Sequence, residues 1–187
     1  LVSFRNAFHG RTLGVQLAGG LPRLKAWIPR PDPSFVQVPF PDGYKNPDTR
    51  FALFEETLAA EGIDAGRVCA VLSETYQGVG PDFMPEEYAR ALRAWCDRRG
   101  ALLILDEVQA GFGRTGAWSA FSHFGVTPDL STWAKSLGSG MPIGCVMGKA
   151  EIMDKAAPSS IGGTYIGNPV SCAAALATLQ HMEEIDI

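Results

Sequence analysis

Two carboxylates, Asp106 and Glu107, directly follow the apolar run Ala101–Leu105, with Gln109 and the glycine-rich loop Gly111-Phe-Gly-Arg-Thr-Gly116 behind them. An apolar run this short, with turn residues after it, reads as a strand buried on both faces. Asp106 and Glu107 then stand where the strand leaves the core, and open α/β sheets bind ligands at the carboxyl ends of their strands. A carboxylate held there is costly unless paired, so Asp106 needs a cation. Two more predicted strands end on ionisable groups. Glu74 follows Val68–Ser73, and Lys135 ends Asp129–Ala134, just before Ser136-Leu-Gly-Ser-Gly-Met-Pro142.

Four chemistries can be weighed on these residues. Gly111, Gly113 and Gly116 fit G-x-G-x-x-G, with Asp129 lying 18 residues beyond Gly111. A dinucleotide fingerprint needs a tight turn straight off the strand. Here two acids and a glutamine intervene, and no clear strand carries the distal acid at its end. An acidic strand such as Leu102–Glu107 also occurs in P-loop ATPases. Yet the only Gly-Lys pair, Gly148-Lys149, comes later and is followed by Ala150. Glu74 and Asp106 could form a general acid and base pair of the glycosidase kind, a generic possibility without a known separation. Lys135 adds more. Trp133 and Ala134 surround it with apolar groups, and a lysine so held can lose its proton and act as an amine nucleophile. Lysine with a strand-end aspartate is what pyridoxal phosphate chemistry requires: one group for the Schiff base, one for the pyridinium nitrogen.

The elements that must position these residues alternate. Strands are predicted at Leu1–Phe4, Phe35–Val38, Val68–Ser73, Leu102–Asp106, Asp129–Ala134 and Gly144–Gly148. Helices are predicted at Thr49–Glu61 with Asp48 as N-cap, at Pro85–Arg99 with Gly100 as stop, over Trp118–Phe124 and Lys149–Lys155, and after Asn168. The last is rich in alanine. Residues 17–47, rich in Gly and Pro, read as a long surface excursion. Alternation of this kind predicts an α/β fold, a mostly parallel sheet with helices on both faces, in a single domain over residues 1–187.

Composition sets outer bounds. The 187 residues are 46% hydrophobic and 19% charged with net charge -4, which suits one globular domain, argues against nucleic acid and gives no reason to invoke a membrane. Cys69, Cys96, Cys145 and Cys172 are widely spaced without a C-x-x-C pair, as reduced core thiols of a cytoplasmic protein are. His9, His123 and His181 lie in unrelated segments, so no metal site is expected. The chain starts without Met, inside a predicted strand, and stops after a long helix. It is expected to be an internal piece of a longer protein, incomplete at both ends.

Four stretches together resemble the class III aminotransferases, the 4-aminobutyrate and acetylornithine branches above all: Leu103–Gly116, Asp129–Gly140 with Lys135, Ala7-Phe-His-Gly-Arg-Thr12, and Gly162-Gly-Thr-Tyr-Ile-Gly-Asn-Pro169. The resemblance implies the aspartate aminotransferase fold (fold type I), of which residues 1–187 would be most of the large pyridoxal-phosphate-binding domain. It implies a homodimer or higher homo-oligomer. It implies transfer of an amino group from an ω-amino acid or amine to a 2-oxo acid. By motif, Lys135 would carry pyridoxal 5'-phosphate as a Schiff base, and Asp106 would pair with the ring nitrogen. Gln109 would bond the phenolic oxygen, Phe8 would stack on the ring, and His9 would lie beside it. Thr164 would bind the phosphate, usually that of the neighbouring subunit, with Gly163 letting the backbone approach. Glu74 would meet substrate. Glu107, read from the residues alone, is expected only in a structural ion pair.

One stretch departs from the family. Glu74-Thr-Tyr-Gln-Gly-Val-Gly-Pro81 stands where members commonly have Glu-Pro, then a second glutamate and paired glycines. Val79 holds the second glutamate's position and Pro81 that of a glycine. That departure counts against ornithine-like or 4-aminobutyrate-like specificity. It leaves a same-fold decarboxylase or epimerase as the alternative, with a nucleotide-binding or purely structural module as the alternative of another class.

Overall fold

A computed structural model describes residues 1–187. In chain order the elements are β1 (Val2–Phe4), α1 (Leu13–Ala18), α2 (Pro22–Lys25), β2 (Val36–Val38), α3 (Ala52–Ala60), β3 (Ala70–Glu74), β4 (Tyr76–Gln77), β5 (Asp82–Phe83), α4 (Glu86–Arg99), β6 (Leu102–Asp106), β7 (Leu130–Trp133), β8 (Cys145–Gly148), α5 (Ala150–Met153) and α6 (Pro169–Glu184). Short 3-10 turns at Ala120–Phe124 and Lys135–Gly138 stand before and after β7.

The sheet has the order β2-β1-β3-β6-β7-β8. All neighbours run parallel except β8, which returns antiparallel to β7. From β1 the chain steps outward to β2 and then back across to β3. The loops after β1 and β3 therefore diverge, and a crevice opens at the carboxyl ends of the strands.

One face of the sheet carries the main core. Val2, Phe4, Val71, Leu103 and Leu105 pack there against Phe54 and Leu58 of α3 and Tyr88, Leu92 and Trp95 of α4. Phe54 meets Trp95 edge-on at 5.0 Å between ring centres. On the other face Leu72, Ile104 and Leu130 are half-buried, while α1 is tied down by Ser3 Oγ donating to the Ala18 carbonyl at 2.5 Å. The two-residue repeat of a strand puts Asp106 on this second side, with Leu102 and Ile104.

The helix ends follow local chemistry. Gly100 closes α4 in the left-handed region at φ +67°, which a glycine adopts without strain. Asn168 Oδ1 accepts from the amides of Val170 and Ser171, with Pro169 in the first turn of α6. Asp48 does not cap α3. Its carboxylate is taken by the backbone and guanidinium of Arg50, and the helix starts later, after Phe51. The excursion over residues 17–47 contains α2 and the end of α1, neither of which was expected. Both helices are too short for a periodic apolar pattern to reveal them.

Asp129, the distal acid of the apparent dinucleotide motif, is 5% exposed and has a structural task. It accepts from the Leu103 amide at 2.7 Å, from Arg93 of α4 at 2.8 Å and from Lys149 at 2.5 Å. Gly111 likewise serves packing. A Cβ there would lie 2.4 Å from the Trp133 ring. Glu107 forms no ion pair. Its carboxylate, 1% exposed, accepts from the amides of Ala120 at 2.8 Å and Phe121 at 3.3 Å at the start of the first 3-10 turn. Burial pushes its pKa up, against those amide bonds. Turn amides satisfy this buried carboxylate in place of a cation.

Candidate functional site

The ends of β1, β3, β6 and β7 meet around a cavity of about 250 Å³. Its walls include Phe8, His9, Glu74, Val79, Asp106 and Gln109, with Lys135 at the rim. Six of the seven residues predicted for the site thus converge. Thr164, the seventh, lies in a segment that is exposed from Asp154 to Val170, and does not line this cavity.

Register places the two carboxylates. Parallel pairing aligns Glu74 of β3 with Asp106 of β6, so the acids stand side by side at adjacent strand ends. Different partners separate their roles. Asp106, 7% exposed, accepts from the Val108 amide at 3.0 Å and faces His9 Nδ1 at 2.7 Å. With Nδ1 facing the carboxylate, the other ring nitrogen, His9 Nε2, is buried without a protein partner.

Glu74 accepts from the Phe8 amide at 3.0 Å and the Gly78 amide at 3.2 Å. Burial raises its pKa, the two amide bonds and His9 act against that, and Asp106 adds to it. Both of its oxygens are thus spent on backbone, which fixes two walls of the cavity.

Lys135 is delivered by an abrupt turn. β7 ends at Trp133, and Lys135 takes φ +42°, a conformation uncommon outside glycine. Its amine then donates to Gln109 Oε1 at 2.6 Å. Gln109 Nε2 donates in turn to the Tyr76 hydroxyl at 3.1 Å. Gly78 closes on the same amide, and a Cβ at that position would sit 2.6 Å from Gln109 Oε1. Tyr76 stacks on Phe83 across the β4–β5 hairpin, at 5.2 Å and 23°. An ion pair between Lys45 and Asp82 ties the hairpin to the loop before α3.

Tyr76 and Gly78 went unrecognised in the sequence. A two-residue strand has no readable alternation, and nothing local says that Tyr76 meets Gln109, 33 positions away. The only available signal was that Tyr76 falls two residues after a strand-end acid.

The site combines an accessible amine, a buried carboxylate braced by an imidazole, an aromatic wall and an oriented amide. It can receive a polar group beside the aromatic wall and present both a carboxylate and an amine to it.

Across residues 1–187 the chain matches the family Aminotransferase class-III. It is 40% identical to 2-aminoadipate transaminase of Pseudomonas putida, over 98% of this chain and 45% of that protein. It is 41% identical to succinylornithine transaminase of Yersinia pseudotuberculosis, over 94% of this chain and 39% of the relative. The chain therefore spans less than half the length of these relatives. Its fold superposes on an amine transaminase from an uncultivated Pseudomonas species, solved with PLP bound, with a TM-score of 0.89 and 33% identity. That match covers 99% of this chain and 46% of the other. The chain belongs to the class III aminotransferase family.

Proposed function

We propose that residues 1–187 are the cofactor-binding large domain of a pyridoxal-phosphate-dependent aminotransferase that moves an amino group from an ω-amino acid or amine to a 2-oxo acid. The observation that carries this reading is the convergence of the Lys135 amine and the Asp106 carboxylate on one cavity beside Phe8.

The residues present fit the cofactor. Asp106 keeps lone pairs beyond its bonds to His9 and Val108, His9 Nε2 has no protein partner, and the Lys135 amine spends one donor on Gln109. Lys135 would attach the cofactor, Asp106 would hold its ring nitrogen, Phe8 would cover a ring face, and Gln109 would offer its remaining N–H to the phenolic oxygen. Thr164 would reach the phosphate in the neighbouring subunit of a homodimer. Its exposure here, beside exposed Tyr165 and Ile166, supports that placement. We place the protein in the cytoplasm, with four unpaired cysteines in support.

Pyridoxal phosphate, when bound, supplies a carbonyl carbon that captures amines and a ring that accepts the electron pair released at the substrate carbon. The chain does the rest. Lys135 Nζ, once displaced by substrate, would take a proton from the substrate carbon and return it to the cofactor carbon it had been joined to, as base and then acid. The Asp106 carboxylate would face the ring nitrogen and favour its protonated form. His9 holds that carboxylate in place through Nδ1. Glu74 would lie near the substrate, and its bonds to the Phe8 and Gly78 amides keep both residues in position.

The test is an absorbance spectrum of the full-length protein, followed by borohydride reduction and peptide mapping. A visible cofactor band fixed by reduction onto Lys135, and amino transfer to pyruvate or 2-oxoglutarate, are expected. No band, a reduced adduct that persists in Lys135→Ala, or carbon dioxide or an inverted stereocentre without amino transfer would overturn the reading.

A further inference from the structure

The Tyr76 hydroxyl lies at the far end of a two-bond chain that finishes on the reactive lysine. Tyr76 accepts from Gln109 Nε2 at 3.1 Å, and Gln109 Oε1 accepts from Lys135 Nζ at 2.6 Å. Each link is held from outside. The Tyr76 ring is stacked on Phe83. Gly78 presses on the Gln109 amide so closely that a methyl group would not fit. The Gly78 amide is itself pinned by Glu74. An amide caught this way has little room to turn.

We propose that Tyr76 is a positioning residue that acts through Gln109 to set how strongly the Lys135 amine holds its proton. The inference rests on the reading of Lys135 as the reactive amine.

Two effects push the same way. An amide whose N–H is engaged by a hydroxyl carries a more negative carbonyl oxygen, because bonds in a chain polarise one another. That oxygen favours the protonated amine it accepts from. The hydroxyl also penalises any turn of the amide that would bring its N–H against the ammonium. Without the hydroxyl both effects weaken, and the Lys135 amine is neutral for a larger share of the time. The other ionisable groups around the cavity, His9, Glu74 and Asp106, bond elsewhere and are unchanged by loss of the hydroxyl. Tyr76→Phe keeps the ring and its stack on Phe83, so it removes the hydroxyl alone.

The experiment uses the full-length protein with its cofactor stripped off, and measures reductive methylation by formaldehyde and cyanoborohydride at neutral pH. Neutral amines react, and peptide mass spectrometry reads each lysine separately. In Tyr76→Phe, Lys135 should label about threefold faster, the scale of one weak net hydrogen bond, while Lys25 and Lys149 keep their rates. In a Gln109→Leu background the same substitution should change nothing, because the chain is already cut. An unchanged Lys135 rate, a rise shared by all lysines, or a Tyr76→Phe effect that survives Gln109→Leu would each overturn the proposal. Absence of amino transfer by the wild-type holoenzyme would sink the function proposed above, and it would leave the labelling result standing.

Discussion

Asp106 and Glu74 are the same chemical group at the same level of adjacent strands, and the structure gives them opposite uses. Asp106 has one backbone donor and an imidazole, which leaves a charge able to face a bound cation. Glu74 has two backbone donors and serves as a brace. Asp106→Ala removes the charge and strands His9 Nδ1. Transamination by the full-length enzyme is expected to fall about 10³-fold, the scale of losing one preorganised electrostatic contact. Steady-state kcat/KM with a saturating cofactor supply checks this, and near-normal turnover would remove Asp106 from the mechanism. Legibility at this scale depended on the strand ends. Asp106 and Lys135 stood out because each follows a predicted strand. Phe8, His9, Gln109 and Thr164 carry no such mark, and only their combined motifs singled them out. Glu107 differs from the expectation because an acid beside a strand end looks alike in sequence whether a cation or a turn of backbone amides receives it.

Asp129 joins three elements at one point: the start of β6 through the Leu103 amide, α4 through Arg93, and the end of β8 through Lys149. Burial alone would raise its pKa, but Lys149, the Leu103 amide and Arg93 outweigh that and hold it below the usual carboxylate range. A depressed folded-state pKa means the stabilisation is present above the unfolded value and is lost as pH falls through the folded one. The loss therefore belongs below about pH 4. Asp129→Asn is expected to cost about 3 kcal/mol at neutral pH, as breaking a buried pair does, and to flatten the acid limb of the stability curve. Denaturant titrations at pH 7 and through the acid range test both, and an acid limb as steep in the variant as in the wild type would refute the assignment. The longer elements were visible in the sequence for physical reasons. Ala101, Leu103 and Leu105 and the Tyr88, Leu92, Trp95 stripe of α4 bury enough area to impose a period. The β4–β5 hairpin, α1 and α2 bury too little to do so, and contacts distant in sequence decide them. The glycines of Gly111–Gly116 show the same limit. Their spacing imitates a phosphate loop, while the close approach of the Trp133 ring is what requires Gly111.

At the scale of the whole molecule, apolar side chains are distributed unevenly. The face built on α3 and α4 is sealed, whereas Ile161, Tyr165, Ile166, Val170 and Leu176 lie open along the segment that leads into α6 and on α6 itself. Val146 and Met147 of β8 are open as well, on a strand with one unpaired edge. Water-exposed apolar groups in this number mark a surface meant for contact, and an unpaired strand edge invites pairing. Thr164 lies within the open segment, as the proposed role at a neighbouring subunit requires. Two consequences follow for residues 1–187 produced alone. They should self-associate, read as a concentration-dependent rise in mass by light scattering, because nothing else covers the open segment. They should also fail to transaminate, since the chain spans less than half of its relatives and the site it builds ends at the Lys135 rim. A monodisperse monomer that turns over an amine and a 2-oxo acid would contradict both, and would mean that the cavity beside Asp106 is complete within one copy of this chain.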